Sequence, residues 1–274
     1  MRLNVGLDVG GSTTKIVGME DGKIVYKSIT TAGDPVTSAY GALGKLINDL
    51  KIPVTEIARI HITGVGSGFT VTPMLGIETV VVSEFPATGL GGLYLARLER
   101  AVVVSMGTGT AYVKAEYPNV SHIIGSGVGG GTIVGLCNSM TGIDNPEKLS
   151  DLATSGDINK VDLTIGDISR AEIPGLGKHV TASNFGKAAD DLTGEDKIIG
   201  IFNLVYQSIG TMAVLASRSV GINDVVFTGQ LTTFKECRNS FKLFDELYDT
   251  NFIIPEDAEF ATAIGAILAG GKKD

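Results

Sequence analysis

One device occurs twice in this chain and limits its architecture more than any other feature. Near the N-terminus, DVGGSTTKIV (residues 8–17) reads as a strand end, a tight glycine turn and a second strand. In mid-chain, SMGTGTAYVK (105–114) repeats the strand, the Gly/Thr hairpin and the strand. The two copies agree weakly by identity and clearly by pattern. Around the first copy the alternation predicts antiparallel strands at 3–9, 13–19 and 23–30, with Asp21-Gly22 as a hairpin turn. Around the second it predicts strands at 101–105, 110–116 and 120–124. A helix at 34–50, strands at 59–64 and 78–82 and a helix at 86–99 follow the first trio. The second is followed by a glycine-dense loop at 125–131, helices at 132–140 and 146–154, and a less regular stretch at 157–185. A long helix at 194–220, a strand at 224–228, a helix at 234–248, a strand at 252–255 and a closing helix at 257–269 complete the chain. The repeat implies two similar domains, 1–100 and 101–274, each pointing a glycine tip at a shared cleft. No low-complexity tract lies between them, so their junction reads as a hinge rather than a tether.

Composition narrows the partners. The 274 residues are 43% hydrophobic and 19% charged, which favours a substantial core over disorder. A formal charge of −8 without a Lys/Arg run excludes nucleic-acid and anionic-membrane binding as expectations. An anionic substrate would then be held by local backbone N–H groups and a metal. Cys137 and Cys237 stand alone, and His61, His122 and His179 lie far apart, so no zinc, iron–sulfur or disulfide spacing is present. The apolar N-terminal run meets Asp8 and does not read as a signal peptide. The most apolar window, 198–220, contains Arg218 and reads as a buried helix. A soluble cytoplasmic protein is the expectation.

The hairpins carry chemistry of one kind. Gly10 and Gly11 let backbone N–H groups approach phosphate oxygens, and Ser12 and Thr13 add hydroxyls. Asp8 at the strand end can hold Mg²⁺ directly or through water. The bland alternative is a plain hairpin with glycine at its turn. No Gly-x-x-x-x-Gly-Lys-Ser/Thr loop occurs. Gly107, Thr108 and Gly109 repeat the tip from the other half. The run Gly125–Gly131 satisfies Gly-x-Gly-x-x-Gly, with Asp144 about 20 residues on as a dinucleotide site requires. An antiparallel setting argues against that use. The run can instead place a helix N-terminus beside phosphate or ribose, or allow close packing. Glu84 ends an apolar strand before a helix, where it can accept a proton from a hydroxyl or simply cap the helix. Cys137 reads as a buried small hydrophobe.

Two opposed glycine hairpins are the arrangement of the actin, chaperone and sugar-kinase superfamily. Within it, the order and spacing of 8–15, Ser83-Glu84-Phe85, 105–110, 125–136, 149–157 and Thr181-Ala182-Ser183-Asn184-Phe185-Gly186 resemble the bacterial type II pantothenate kinases over nearly the whole chain. The resemblance implies an α/β, two-domain actin-like (ribonuclease H-like) ATPase fold with a nucleotide cleft between the domains. It implies ATP, Mg²⁺, a homodimer and phosphorylation of the pantothenate 4′-hydroxyl, the first step of coenzyme A synthesis. It makes Glu84 the general base and Asp8 the metal holder. Asp8, Gly10, Gly11, Ser12, Thr13 and Lys15 match its first nucleotide loop, and Gly107, Thr108 and Gly109 its second. Gly130, Gly131, Thr132, Ile133 and Val134 match the segment against the nucleotide, joined by Gly229. His122, Ser183 and Asn184 fall with Glu84 on the acceptor side. The chain departs from the pattern at His122, where Arg is common, at Pro146, where an aromatic is common, and at Gly229-Gln230-Leu231, in place of Gly-Ser-Ser. Two rival readings remain: another small-molecule kinase or a dehydratase-activating ATPase of the same fold, and a non-catalytic nucleotide- or coenzyme A-binding regulator.

Overall fold

The computed structural model describes residues 3–31, 33–69, 72–171, 173–175, 177–187 and 190–271. The first hairpin runs from β1 (Leu3–Val9) to β2 (Thr14–Glu20) and on to β3 (Lys23–Thr30), all antiparallel. β4 (Ile57–Thr63) and β5 (Thr79–Val81) then add in parallel on the far side of β1, giving the order β3-β2-β1-β4-β5. The second half repeats this. β6 (Arg100–Met106), β7 (Thr110–Glu116) and β8 (Asn119–Ser126) form the antiparallel trio. An insertion carries the short ladder β9 (Leu163–Thr164) and β10 (Thr181–Ser183). β11 (Asp224–Thr228) and β12 (Asn251–Ile253) then return in parallel, giving β12-β11-β6-β7-β8. The weak sequence repeat is therefore a full repeat of topology.

Local signals start and stop the helices. In α1 (Pro35–Leu50) the Asp34 side chain accepts the Thr37 N–H, Pro35 occupies the first turn, and Lys51 closes the helix in a left-handed conformation. Its buried stripe, Ala39, Ala42, Leu43 and Leu46, packs on Val5, Leu7, Val9, Ile60 and Ile62 of the first sheet. α2 (Glu84–Ala96) begins two residues earlier than its proline suggests, because Pro86 sits in the first turn, where a missing N–H breaks no helical bond. It stops at Ala96 because Arg97 turns left-handed at φ 57°. The irregular stretch holds α5 (Ile165–Ile168) as well as β9 and β10, after α3 (Gly130–Thr141) and α4 (Pro146–Ala153). α6 (Gly194–Val220) starts on a reciprocal Thr193/Asp196 capping box and ends at Gly221. By length and composition it could cross a membrane, and 56% of its most apolar window is buried inside the protein. It contributes Ile198, Phe202, Val205, Tyr206 and Ile209 to the largest core, with α3, α4 and α7 (Lys235–Leu247) around it.

Two helices exchange sides. α2 leaves the first sheet and lies on the second, with Gly89 against Val120 and Gly92 against Val103. α8 (Ala261–Gly270) leaves the second half and lies on the first sheet, where Ala263, Ile264 and Ile267 pack on Val17 and Met19. The two cross backbone to backbone. A methyl group on Gly91 would fall 1.8 Å from the Ala261 carbonyl oxygen, and one on Gly265 would fall 1.7 Å from that of Ala87. A buried Thr88–Thr262 hydroxyl bond of 3.3 Å adds a polar pin. Gly265→Ala must spread this crossing and is expected to destabilise by about 3 kcal/mol or more. Gly44→Ala in α1 meets nothing within 4 Å, so it is expected to stabilise by about 0.5–1 kcal/mol. Denaturant unfolding of the pair checks both signs.

Candidate active site

Each hairpin tip spends one amide on its own turn and leaves others unused. The Gly10 N–H donates to the Thr13 carbonyl at 3.0 Å, and the Gly107 N–H to that of Gly109 at 2.9 Å. The amides of Gly11, Ser12, Thr108 and Gly109 have no protein acceptor among the described residues. The tips are close together: a methyl group on Gly11 would lie 3.9 Å from Thr108 Oγ1. Two short loops with unspent donors thus lie side by side, a backbone arrangement of the kind that can receive an anion. A recess of about 40 Å³ runs beside the first tip, lined by Gly10, Gly11, Ser12 and Thr13 and by Gly33, Asp34, Pro35 and Ser38 at the start of α1.

The charged groups lie beside the first tip. Asp8 on β1 pairs in register with Lys15 on β2, whose side chain is buried. Burial pushes the Asp8 carboxyl up to about 6; Lys15 opposes this and Glu84 adds to it. Asp8 and Glu84 are thus within electrostatic reach of each other. Glu84 occupies the first position of α2, open to solvent on one side, and partial desolvation raises its pKa as well. The ring of the next residue, Phe85, stacks on His122 of β8 with centroids 4.4 Å apart. His122 is thereby brought to the start of α2, against the residue that follows Glu84.

The triple glycine has a use of its own. The Gly130 N–H donates to the Gly107 carbonyl and the Gly131 N–H to that of Thr108, both at 2.9 Å. The Thr132 and Ile133 amides bond the Gly129 carbonyl, and Thr132 Oγ1 accepts the Gly129 N–H while donating to Gly127. Of the N-terminal donors of α3, those of Gly130 and Gly131 hold the second tip, those of Gly129, Thr132 and Ile133 close the helix start on itself, and Val134 packs toward the core. The run is a buttress, with glycine required because a methyl on Gly129 would fall 2.6 Å from the Thr108 carbonyl oxygen. Gly229 sits on the other flank of this tip at φ 92°, over the Met106 backbone. Ser183 and Asn184 lie on the insertion. The Asn184 amide is committed to Asp162 at 3.0 Å and Gln207 at 3.2 Å, and Asp162, buried, also accepts from Phe185 N–H and Asn203. No hydrogen bond joins this pair to Glu84 among the described residues. Cys137 and Cys237 are both fully buried on different helices, and burial raises both thiols, Cys137 to about 11.

Of the residues that end the fourth strand of each half, sequence reasoning singled out Gly229 and missed Thr63, Gly64 and Thr228. Thr63-Gly64 closes β4 and Thr228-Gly229 closes β11, each beside the hairpin strand, with Asp8 opposite Thr63 and Ser105 opposite Thr228. Both glycines have φ near 90° and press on the hairpin: a methyl on Gly64 would lie 2.6 Å from Asp8 Oδ1. Two buried polar atoms there have no hydrogen-bond partner among the described residues, Thr63 Oγ1 and Gln230 Oε1. The repeated dipeptide was the available signal.

The architecture is the two-domain actin-like fold. Among solved structures, the activator of the 2-hydroxyisocaproyl-CoA dehydratase from Clostridium difficile with bound ADPNP aligns over 97% of this chain and 94% of its own, with a TM-score of 0.68 and 17% identity. A ROK family glucokinase from Streptomyces griseus, solved with glucose and AMPPNP, aligns over 98% and 100% with a TM-score of 0.60 and 12% identity. The Fumble family model matches residues 98–244. The type II pantothenate kinase of Oceanobacillus iheyensis is 30% identical over 97% of this chain and 98% of its own length. The chain belongs to the type II pantothenate kinase family.

The Asp8 shift has a stability consequence. Its folded pKa of about 6 exceeds the ordinary 3.8, so the native state binds the proton more tightly and stability falls as pH rises from about 4 to about 6. His61, buried on β4 with its pKa lowered from 6.5 to about 4 by burial and Arg59, acts oppositely: stability is lost as pH falls through that window. The two contributions oppose each other in that window, so the informative quantity is a difference between variants. Asp8→Asn is expected to melt higher than wild type at pH 7.5, with the gap closing below pH 4. A lower melting temperature at pH 7.5 would contradict the burial of an ionised Asp8.

Proposed function

We propose that the protein transfers the γ-phosphoryl group of ATP to the 4′-hydroxyl of pantothenate, in the cleft between residues 1–100 and 101–274. Membership of the type II pantothenate kinase family over the full chain supports the reaction. The observation that carries the site is the juxtaposition of two hairpin tips with unspent amides, flanked by two carboxylates within electrostatic reach. The amides of Gly11, Ser12, Thr108 and Gly109 bind the β- and γ-phosphates, with the Ser12 and Thr13 hydroxyls beside them. Lys15 offsets charge behind Asp8. Glu84 orients the acceptor hydroxyl and takes its proton; a partly desolvated carboxylate with a raised pKa is suited to this. His122, held by Phe85, lines the acceptor side, while Ser183 and Asn184 border the insertion.

The residues present fit Mg²⁺. Asp8 is a half-buried carboxylate whose one nearby cation only partly compensates it. Among the described residues no group of three or more His, Cys, Asp or Glu side chains gathers, which suits an ion that takes one or two carboxylates plus phosphate oxygens and water. Asp8 would hold it, and the ion would supply charge neutralisation at the transferring phosphate. Most of the rate then comes from positioning and fixed dipoles, because phosphoryl transfer asks little covalent chemistry of the protein. The protein works as a soluble cytoplasmic homodimer; exposed Leu136 and Met140 on α3 and Leu215 on α6 supply apolar surface for self-association.

Incubation with ATP, Mg²⁺ and pantothenate is expected to give phosphopantothenate, identified by mass. Turnover of a hexose in its place would assign the chain to a sugar substrate instead. Glu84→Gln is expected to bind ATP within about threefold of wild type and to lose transfer by on the order of 10²-fold or more. Near-normal turnover in that variant would remove Glu84 from the base role.

A further inference from the structure

The ends of β4 and β11 are a natural internal control. At the end of β11, Thr228 Oγ1 donates to the Val104 carbonyl at 3.4 Å, so the buried hydroxyl is satisfied by backbone. At the equivalent point of β4, Thr63 is fully buried and its Oγ1 has no hydrogen-bond partner among the described residues. A buried hydroxyl without a partner is uncommon in a native protein and calls for a cause. What differs between the two places is the neighbour in register: Ser105 beside Thr228, Asp8 beside Thr63.

Strand alternation puts Thr63 and Asp8 on one face. Leu7, Val9, Ile60 and Ile62 point to the α1 side. Gly6 lies under Ala263, and the His61 ring abuts Gly270, so both point to the α8 side. Asp8 and Thr63, two residues further along the same strands, share that side. The Asp8 carboxylate leans toward β4, since a methyl on Gly64 would lie 2.6 Å from Oδ1. The hydroxyl and the carboxylate are therefore neighbours on one face of adjacent strands, and a change of χ1 well or hydroxyl rotor lets one serve the other.

We propose that Thr63 is a positioning residue for Asp8: its hydroxyl donates to the Asp8 carboxylate when a divalent cation and phosphates occupy the cleft, and so fixes the carboxylate's orientation. The inference rests on the reading of Asp8 as the residue that holds the cation. Without ligands the hydroxyl has no protein partner among the described residues. Its donation is made only with the loaded site, where a charged acceptor rewards it most.

Thr63→Val keeps the shape and removes the hydroxyl; Thr63→Ser keeps the hydroxyl. Without ligands, Thr63→Val is expected to melt at or above the wild-type temperature, since an unpartnered buried hydroxyl has gone. With a non-hydrolysable ATP analogue present, Mn²⁺ binding followed by electron paramagnetic resonance is expected to weaken about tenfold. Thr63→Ser is expected to recover most of that affinity, and pantothenate KM to change little in either variant while kcat falls in Thr63→Val. A lower melting temperature with Mn²⁺ affinity unchanged would show a purely structural residue and overturn the proposal, as would Ser failing as badly as Val. Asp8→Asn, measured beside them, separates the two levels. Unchanged Mn²⁺ affinity there overturns the reading of Asp8 and the Thr63 link with it. Weakened affinity in Asp8→Asn with none in Thr63→Val overturns the link alone.

Discussion

Two helices crossing at glycine hold this molecule together across its middle. α2 begins with Glu84 but lies on the second sheet, and α8 comes from the second half but lies on the first. Where they meet, Gly91 and Gly265 bring each helix onto a carbonyl of the other, at separations no larger residue tolerates. Close packing of this kind transmits position rather than absorbing it. Asp8 lies on the strand beneath α8, and Glu84 heads α2, so the separation of the two carboxylates is set by this crossing. The opposition of the hairpin tips follows from it as well.

The tips show how a glycine-rich chain divides labour among its glycines. Some, as at Gly11 and Gly109, leave amides unspent at the cleft. Others, as at Gly129, Gly130 and Gly131, bring one backbone against another so that the second tip cannot relax. A third kind, Gly64 and Gly229, turns the chain sharply at positive φ beside the hairpin strand. Preorganised dipoles gain their value from being held in place before charge arrives, and here the holding is done by backbone hydrogen bonds rather than by long side chains. A chain with 37 glycines and a net charge of −8 can grip a polyanion this way without a basic surface.

Much of this was legible from residue order. The hairpins, the starts at Asp34 and Thr193, the stops at Gly221 and the repeat of the sheet all follow from local chemistry that any reader of the chain can apply. The exchange of α2 and α8 was not, because it depends on contacts such as Thr88 with Thr262, whose partners are 174 positions apart and carry no local mark. Nor was the split between spent and unspent amides: Gly-Gly-Gly before a helix looks the same whether its N–H groups meet a phosphate or the Gly107 carbonyl. The insertion was read as irregular because its order comes from Asp162, a single buried carboxylate gathering Asn184, Phe185 and Asn203 across distant segments. The Thr-Gly pair at the end of each fourth strand was in plain view, and it gains meaning only once register sets Thr63 beside Asp8.

A crystal structure with Mg²⁺ and a non-hydrolysable ATP analogue tests whether one phosphoryl-transfer centre lies between the two tips. The β- and γ-phosphates are expected within hydrogen-bond distance of the Gly11 or Ser12 amide on one side and the Thr108 or Gly109 amide on the other, with Glu84 facing the terminal phosphate across open space. Phosphates seated away from both tips, with those amides still unpaired and Glu84 turned to solvent, would contradict it.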